Sequence, residues 1–378
     1  MEKSRITDNE LIEIVDSKIK KVRTRSLDLS FNELLDMYEN GELIIDPDYQ
    51  RLFRWSEEKQ SRFIESLILE MPIPPIYVIE REEGVYELID GLQRISSYLH
   101  FRGSLKTKNN QYLTLTGCDI VNQLDGYTYN DLPKPLQIKL KRNFVRVEII
   151  RRESDQRLRY YMFKRLNTGG ELLSEQEIRN CTIRLLDDKF NEFIIELSKN
   201  EDFVNCISNL SDEKKDQKYD QELVLRFFAF KNYRDKYRHD VGSFMTNYME
   251  GVSYKKGEEG YIEFDYDKER EIFNKTFKVL NLTLGEYIFS RTNNNGKFIS
   301  SFSPYHFEAF TLGIQKYLDQ INCDNEFIKK LKKEFTEIKN DSNFKALTTG
   351  GGKNTPNQLA QRIKFVEDRV GALINGRN

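Results

Sequence analysis

The sequence predicts an α+β domain followed by an all-helical one, and three observations carry that reading. Period-two alternation marks PIYVIER (75–81), VYELID (85–90) and FVRVEIIR (144–151), all in the first part of the chain. From about residue 154 it gives way to helical periodicity in DQRLRYYMFKRLN, SEQEIRNCTIRLL, QELVLRFFAFKNYRD, EREIFNKTFKVLNLTL, HFEAFTLGIQKYL and NQLAQRIKFVEDRV. A length of 378 residues allows two separate cores. The change of pattern sets the domains at 1–155 and 156–378, with YIEFDY (261–266) the one strand signal in the second.

The elements of the first domain follow in order. SFNELLDMYEN (30–40) opens with Ser30 as N-cap, Glu33 answering three residues later, and Leu29 and Leu34 as a staple. LIID (43–46) reads as a strand. EEKQSRFIESLIL (57–69) is an amphipathic helix with Phe63, Leu67, Ile64 and Ile68 on neighbouring faces. Glu-Glu-Gly joins 75–81 to 85–90 as a β-hairpin, a helix follows from 91, and a loop-rich stretch runs to about 130. KPLQIKLKRN is a short helix, and FVRVEIIR a strand with alternating faces.

Bulk properties exclude several classes. Lys and Arg number 59 against 61 Asp and Glu, leaving a formal charge of −2, so any nucleic-acid contact is local. The mean hydropathy of −0.66 indicates a soluble protein, and no apolar run approaches a membrane span of roughly 20 residues. The N-terminus has no apolar signal core, and Cys118, Cys181, Cys206 and Cys323 are scattered, so reduced thiols in a cytoplasmic protein are expected. With three histidines, none beside a cysteine or an acidic pair, no metal site is expected.

Chemistry concentrates in three stretches. In LIDGLQRISSYLHF (88–101), Asp90 reads as N-cap, Gly91 as N1 and Gln93 as the answering N3 residue. Capping does not account for Arg94, a cation in the first helical turn, where the macrodipole disfavours one. A strand end, a glycine turn and a helix start with an arginine together make a phosphate cradle, in which Gln93 orients a water instead of capping. DPDYQRLFRW (46–55) places Gln50 and Arg51 beside an apolar strand, where they need partners if buried. FKRLNTGGELLSEQEIRN (163–180) holds a capping box of Ser174 and Glu177, and a Thr-Gly-Gly turn after Asn167.

Taken together, IIDPDYQRLFRW, ESLILEMPIPPIYV, LIDGLQR and FKRLNTGGELLSEQEIRN resemble the DGQQR-motif family. Domains of that family stand at the N-terminus of GmrSD-type restriction systems and belong to the ParB/sulfiredoxin-like superfamily. The resemblance covers about residues 25–185, with Leu92 where the family motif has its first Gln. It implies a ParB-like fold that binds a nucleoside triphosphate, with Mg2+ as its companion, and hydrolysis coupled to DNA restriction. By match it assigns Asp90, Gln93 and Arg94 to catalysis, and Tyr49, Gln50, Arg51, Gly91, Asn167, Gly169, Gly170 and Arg179 to nucleotide binding. Gln50, Arg51, Asp90, Gln93, Arg94 and Asn167 are then expected to line one cleft beside the hairpin.

Other features are weighed against this. KPLQIKLKRNFVRVEIIRR (134–152) carries Lys139, Lys141, Arg142, Arg146, Arg151 and Arg152 against one Glu, a candidate phosphate-backbone contact. TTGGGKNTPNQLAQRI (348–363) fails as a P-loop, because Asn354 follows Lys353; Thr355, Pro356 and Gln358 read as N-cap, N1 and N3. His239 and His306 lack the neighbours of a His-Asn-His nuclease, so His306 reads as a packed residue. The expected function is an NTP-binding protein and NTPase of a DNA-restriction or phage-defence system, with DNA and the system's other proteins as partners and no membrane. The alternative is a non-catalytic DNA-binding or partner-recruiting ParB-like module, and the third reading a nuclease built on carboxylates.

Overall fold

The computed structural model describes residues 7–45, 53–105, 112–167, 174–293 and 295–376. The chain divides into two compact units, Met1–Leu172 and Leu173–Asn378. The helix at 156–167, which the sequence reading placed in the second domain, falls in the first unit.

The first unit holds a five-stranded mixed sheet of spatial order β1-β5-β3-β4-β2. Its strands are β1 Thr24–Ser30, β2 Leu43–Ile44, β3 Ile76–Glu82, β4 Val85–Asp90 and β5 Phe144–Ile150. The β3–β4 hairpin is antiparallel, as are β1 and β5, whereas β5 runs parallel to β3 and β2 parallel to β4. Helices α1 Asp8–Ile19, α2 Phe31–Glu39, α3 Glu57–Ile68, α4 Leu92–Arg102, α5 Lys134–Arg142 and α6 Gln156–Asn167 accompany it. Ser30 caps α2 through the Glu33 amide, as its sequence announces. The core gathers Phe31 and Leu34 of α2, Ile64 and Leu67 of α3, and Ile95 and Leu99 of α4 with Ile76, Val78, Val145 and Val147 of the sheet. Each such side chain, fully buried, contributes about 1.5–3 kcal/mol of transfer free energy. That packing fixes where β4 ends and α4 begins.

The second unit is helical: α7 Glu175–Ile183, α8 Lys189–Leu197, α9 Glu201–Cys206, α10 Asp212–Asp216, α11 Tyr219–Asn232, α12 Val241–Ser253, α13 Tyr266–Thr283, α14 Pro304–Gly313, α15 Asn325–Asn340, α16 Ser342–Thr348 and α17 Pro356–Ile374. A run from Leu223 to Phe230 is buried all round, which makes α11 the central helix. Phe227 and Phe228 meet Phe273 of α13 edge-on and stacked respectively. A Cβ at Gly313 would come 2.6 Å from Val366, so glycine lets α14 and α17 approach closely.

The strand expected at 261–266 is not formed: the segment runs without regular structure into α13 at Tyr266. Its alternating aromatics serve a cluster instead, Phe264 and Tyr266 packing on Phe190 and Phe193. The unit's strands are β6 Ser290–Thr292 and β7 Phe298–Phe302, an antiparallel pair.

Candidate functional site

The strand-to-helix corner at Asp90–Arg94 is built by one glycine. Gly91 adopts φ +104°, and a Cβ there would lie 2.5 Å from the Ile76 side chain, so both conformation and space require glycine. Gly91, not Asp90, is the N-cap of α4, and no side chain caps the helix. The expected Asp90/Gln93 capping box is therefore corrected: the left-handed turn moves the helix start one residue along and takes both side chains elsewhere.

Asp90 receives the guanidinium of Arg94, Nη2 to Oδ2 at 3.0 Å, across one helical turn. Nη1 of Arg94 donates to the carbonyls of Pro74 and, at 3.1 Å, of Pro75. Prolines at both positions keep β3's entry extended, with those carbonyls presented to the arginine. Leu92, at the position of the family's first Gln, is 4% exposed and belongs to the core.

Gln93 has a different task from the two expected of it. Its Oε1 accepts from the backbone amides of Arg54, at 3.0 Å, and Trp55, at 3.1 Å. The Trp55 carbonyl in turn accepts from Gln60 Nε2 at 2.8 Å, and Gln60 Oε1 pairs with His100 Nδ1 at 2.8 Å. Because the same carboxamide donates to Trp55, its oxygen accepts, and Nδ1 of His100 carries the proton. Two glutamines and a histidine, from α3 and α4, thus hold the chain at 54–55 by its N–H and C=O groups. The sequence reading missed Gln60 and His100. Their signal was polar residues in line with apolar stripes: Gln60 one turn before Phe63 and Ile64, and His100 two turns after Gln93.

Tyr49, Gln50, Arg51, Gly169 and Gly170 lie outside the described residues, as does the side chain of Asn167, the last residue of α6. The cleft expected from all three stretches is thus represented by Asp90, Gln93 and Arg94. Among these, Arg94 and Asp90 meet, while Gln93 turns to residues 54–55.

Arg179 lies in α7 of the second unit and is 3% exposed. Its Nε donates to Thr246 Oγ1, Nη1 to Gln176 and Glu222, and Nη2 to Glu175 and the Gly242 carbonyl. All five N–H groups are engaged within that unit. Glu222 continues to Arg226, Arg226 to Glu308 at 2.7 Å, and Glu308 to Arg362 at 2.7 Å. This buried alternation of charge ties α7, α11, α14 and α17 together. Arg362 also donates to the Lys353 carbonyl, and Thr355 caps α17, so the triple-glycine segment is the loop entering the last helix.

Four of the six basic candidates pair with carboxylates, Asp28, Glu70 and Glu80 remote in sequence and Glu153 just after the stretch. Arg146 faces Asp28 in the β1–β5 register and holds it by two bonds of 3.0 and 3.1 Å. The guanidinium, by hydrogen bond and charge, keeps the Asp28 carboxyl below the usual carboxylate range. Arg151 pairs with Glu80 and Glu153, Arg152 with Glu153, and Lys139 with Glu70. Among the described residues, no ion pair engages Lys141 or Arg142. Counting charges along 134–152 could not see Asp28 or Glu80.

His306 is fully packed, its Nδ1 3.2 Å from Lys339 Nζ, and burial pushes its pKa well down. No group of three His, Cys, Asp or Glu among the described residues could hold a metal, and no helix among them is long and apolar enough to cross a membrane.

The comparison with protein families gives one finding. Residues 31–184 match the family model described as "GmrSD restriction endonuclease, N-terminal domain", about two fifths of the chain, running from α2 through α7. No curated protein and no solved structure matches the chain.

Proposed function

Residues 31–184 belong to the GmrSD restriction endonuclease N-terminal domain family, and from that premise we propose that the chain is the nucleotide-binding component of a restriction or phage-defence system. The site is the corner where β4 turns into α4, on a ParB-like domain. One observation carries the reading: α4 starts on a left-handed glycine without a side-chain cap, and a guanidinium is fixed in its first turn. A helix start is already electropositive, so a cation held there concentrates positive potential where an anion would approach. Asp90 is ion-paired to the same arginine, 3.0 Å away, and holds it in place.

A nucleoside triphosphate fits this corner through its phosphates. Gly91 and the start of α4 supply backbone N–H groups, Arg94 supplies charge, and Asp90 together with the Pro74 and Pro75 carbonyls keeps the guanidinium in place. Mg2+ would accompany the phosphates, with Asp90 the nearest carboxylate of the corner. When bound, the triphosphate supplies a hydrolysable anhydride.

A second reading, binding without turnover, is favoured by Gln93. Its carboxamide oxygen is committed to two backbone amides, and a residue so used is a positioning group for residues 54–55 rather than one that orients water. DNA contact, if the system uses this chain for it, falls to Lys141 and Arg142 rather than to the paired arginines.

Titration of the purified protein with ATP and GTP, with phosphate release measured with and without DNA, tests the proposal. Saturable binding is expected, with DNA-dependent release marking the NTPase and its absence the binding-only module. No binding of either nucleotide would overturn both.

A further inference from the structure

Helix α1 has no buried residue. Leu11, Ile12, Ile14, Val15 and Ile19 are 47–62% exposed, five large aliphatics on a helix of 12 residues. At 100° per residue they fall within an arc of about 160°, an apolar face that Asp8 enters near its first turn and Lys18 near its last. Single exposed aliphatics are ordinary, but five of them exposed together on one amphipathic helix are not. A helix this short is marginal in water unless its apolar face is packed. The chain behind it is anchored: Arg23 N donates to Ser154 Oγ and its carbonyl accepts from Arg151 N, both at 2.9 Å, and the Lys21 carbonyl accepts from Asp155 N at 3.0 Å. The helix therefore projects from a fixed root.

Its charges are segregated along the axis. Asp8, Glu10, Glu13 and Asp16 occupy the first part, and Lys18, Lys20, Lys21 and Arg23 follow. Such a segment is complementary to itself when reversed.

We propose that α1 pairs antiparallel with α1 of a second copy of this chain. With Val15 near the two-fold axis, Leu11 meets Ile19 of the second copy, and the acidic half of each helix lies along the basic end of the other. The contact is isologous and closes at two subunits. A parallel pair would set like charges together, and an anionic membrane would meet the four carboxylates of this helix, of which Asp8 lies within the apolar arc itself. One helix face is a small interface, so the dimer dissociates on dilution.

Analytical ultracentrifugation of the full chain over a wide concentration range tests this. Wild type is expected to move from 44.9 kDa toward twice that mass as concentration rises. Val15→Glu with Ile19→Glu stays monomeric and, because α1 buries nothing within a single copy, melts at the temperature of the dilute wild-type monomer. Reversing Lys18, Lys20 and Lys21 to Glu weakens the dimer at least tenfold, and adding Asp8→Lys, Glu13→Lys and Asp16→Lys restores it. A wild type that stays monomeric throughout, a dimer indifferent to Val15→Glu/Ile19→Glu, or a charge reversal without effect overturns the proposal.

Discussion

Arg94 reaches back one helical turn to Asp90, Nη2 to Oδ2 at 3.0 Å, while its other terminal nitrogen binds the carbonyls before β3. One side chain thus holds together a strand end, a helix start and a proline segment. Under the proposed nucleotide site the same side chain would also meet the ligand, so single substitutions are read on both stability and binding.

For that reason Arg94→Ala should lower both nucleotide affinity and stability. Losing one charge-assisted contact removes about 1.5–3 kcal/mol, or roughly ten- to a hundredfold in Kd. The melting temperature should fall too, because Pro74 and Pro75 lose their donor. Arg94→Lys should rescue neither, since an ammonium cannot span Asp90 and two carbonyls in one plane. Calorimetric titration and thermal melts, run on the same samples, check both effects.

Gln93 separates holding the chain from orienting water. Gln93→Glu keeps an acceptor for the Arg54 and Trp55 amides, and should leave stability and any phosphate release near wild type. Gln93→Ala leaves two amides without that acceptor and should cost about 1–3 kcal/mol. If Gln93→Glu abolished phosphate release at unchanged stability, Gln93 would be acting on water after all.

In the second unit, Glu308 stands between Arg226 and Arg362, with both it and Arg362 1% exposed. Glu308→Gln should destabilise the fold by about 3–5 kcal/mol, because two guanidinium groups lose a buried counter-charge. Arg146→Ala, which removes an exposed pair, should leave the urea midpoint where it is. Chemical denaturation of the two variants checks the contrast.

Lys339 gives the pH dependence a sign. Its Nζ is buried on the Ser290 carbonyl and His306 Nδ1, with no carboxylate paired to it among the described residues, and burial holds its pKa well below the usual lysine range. The unfolded chain therefore binds a proton that the folded chain does not, from the ordinary value of about 10.4 down to the lowered one. Stability rises with pH across that window and is lost as pH falls. Lys339→Met should flatten the rise in melting temperature between pH 7 and 9, whatever it does to the absolute value.

Much of the fold was legible because local signals and tertiary packing agreed. The hairpin 76–90, the strand from Phe144, the Ser174/Glu177 capping box and the Thr355 cap all stand where the sequence put them. The strand Thr24–Ser30 was not anticipated, since TRSLDLS has two apolar residues and gains its place by pairing with β5, more than 110 residues away. At the corner, the sequence pointed to Asp90, Gln93 and Arg94, but a capping-box pattern cannot reveal that Gly91 takes a left-handed turn. Nor can local charge reveal that Arg146 has Asp28 opposite it. Both depend on which segments the sheet brings together.

The most direct test of the account is a binding titration of ATP and GTP against wild type, Arg94→Ala and Arg179→Lys, each shown to be folded by its melt. The account predicts saturable binding in wild type, at least tenfold weaker in Arg94→Ala. It also predicts affinity near wild type in Arg179→Lys, because Arg179 spends its donors inside the second unit. Equal affinities in wild type and Arg94→Ala, or loss of binding only in Arg179→Lys, would contradict a nucleotide site at the β4–α4 corner.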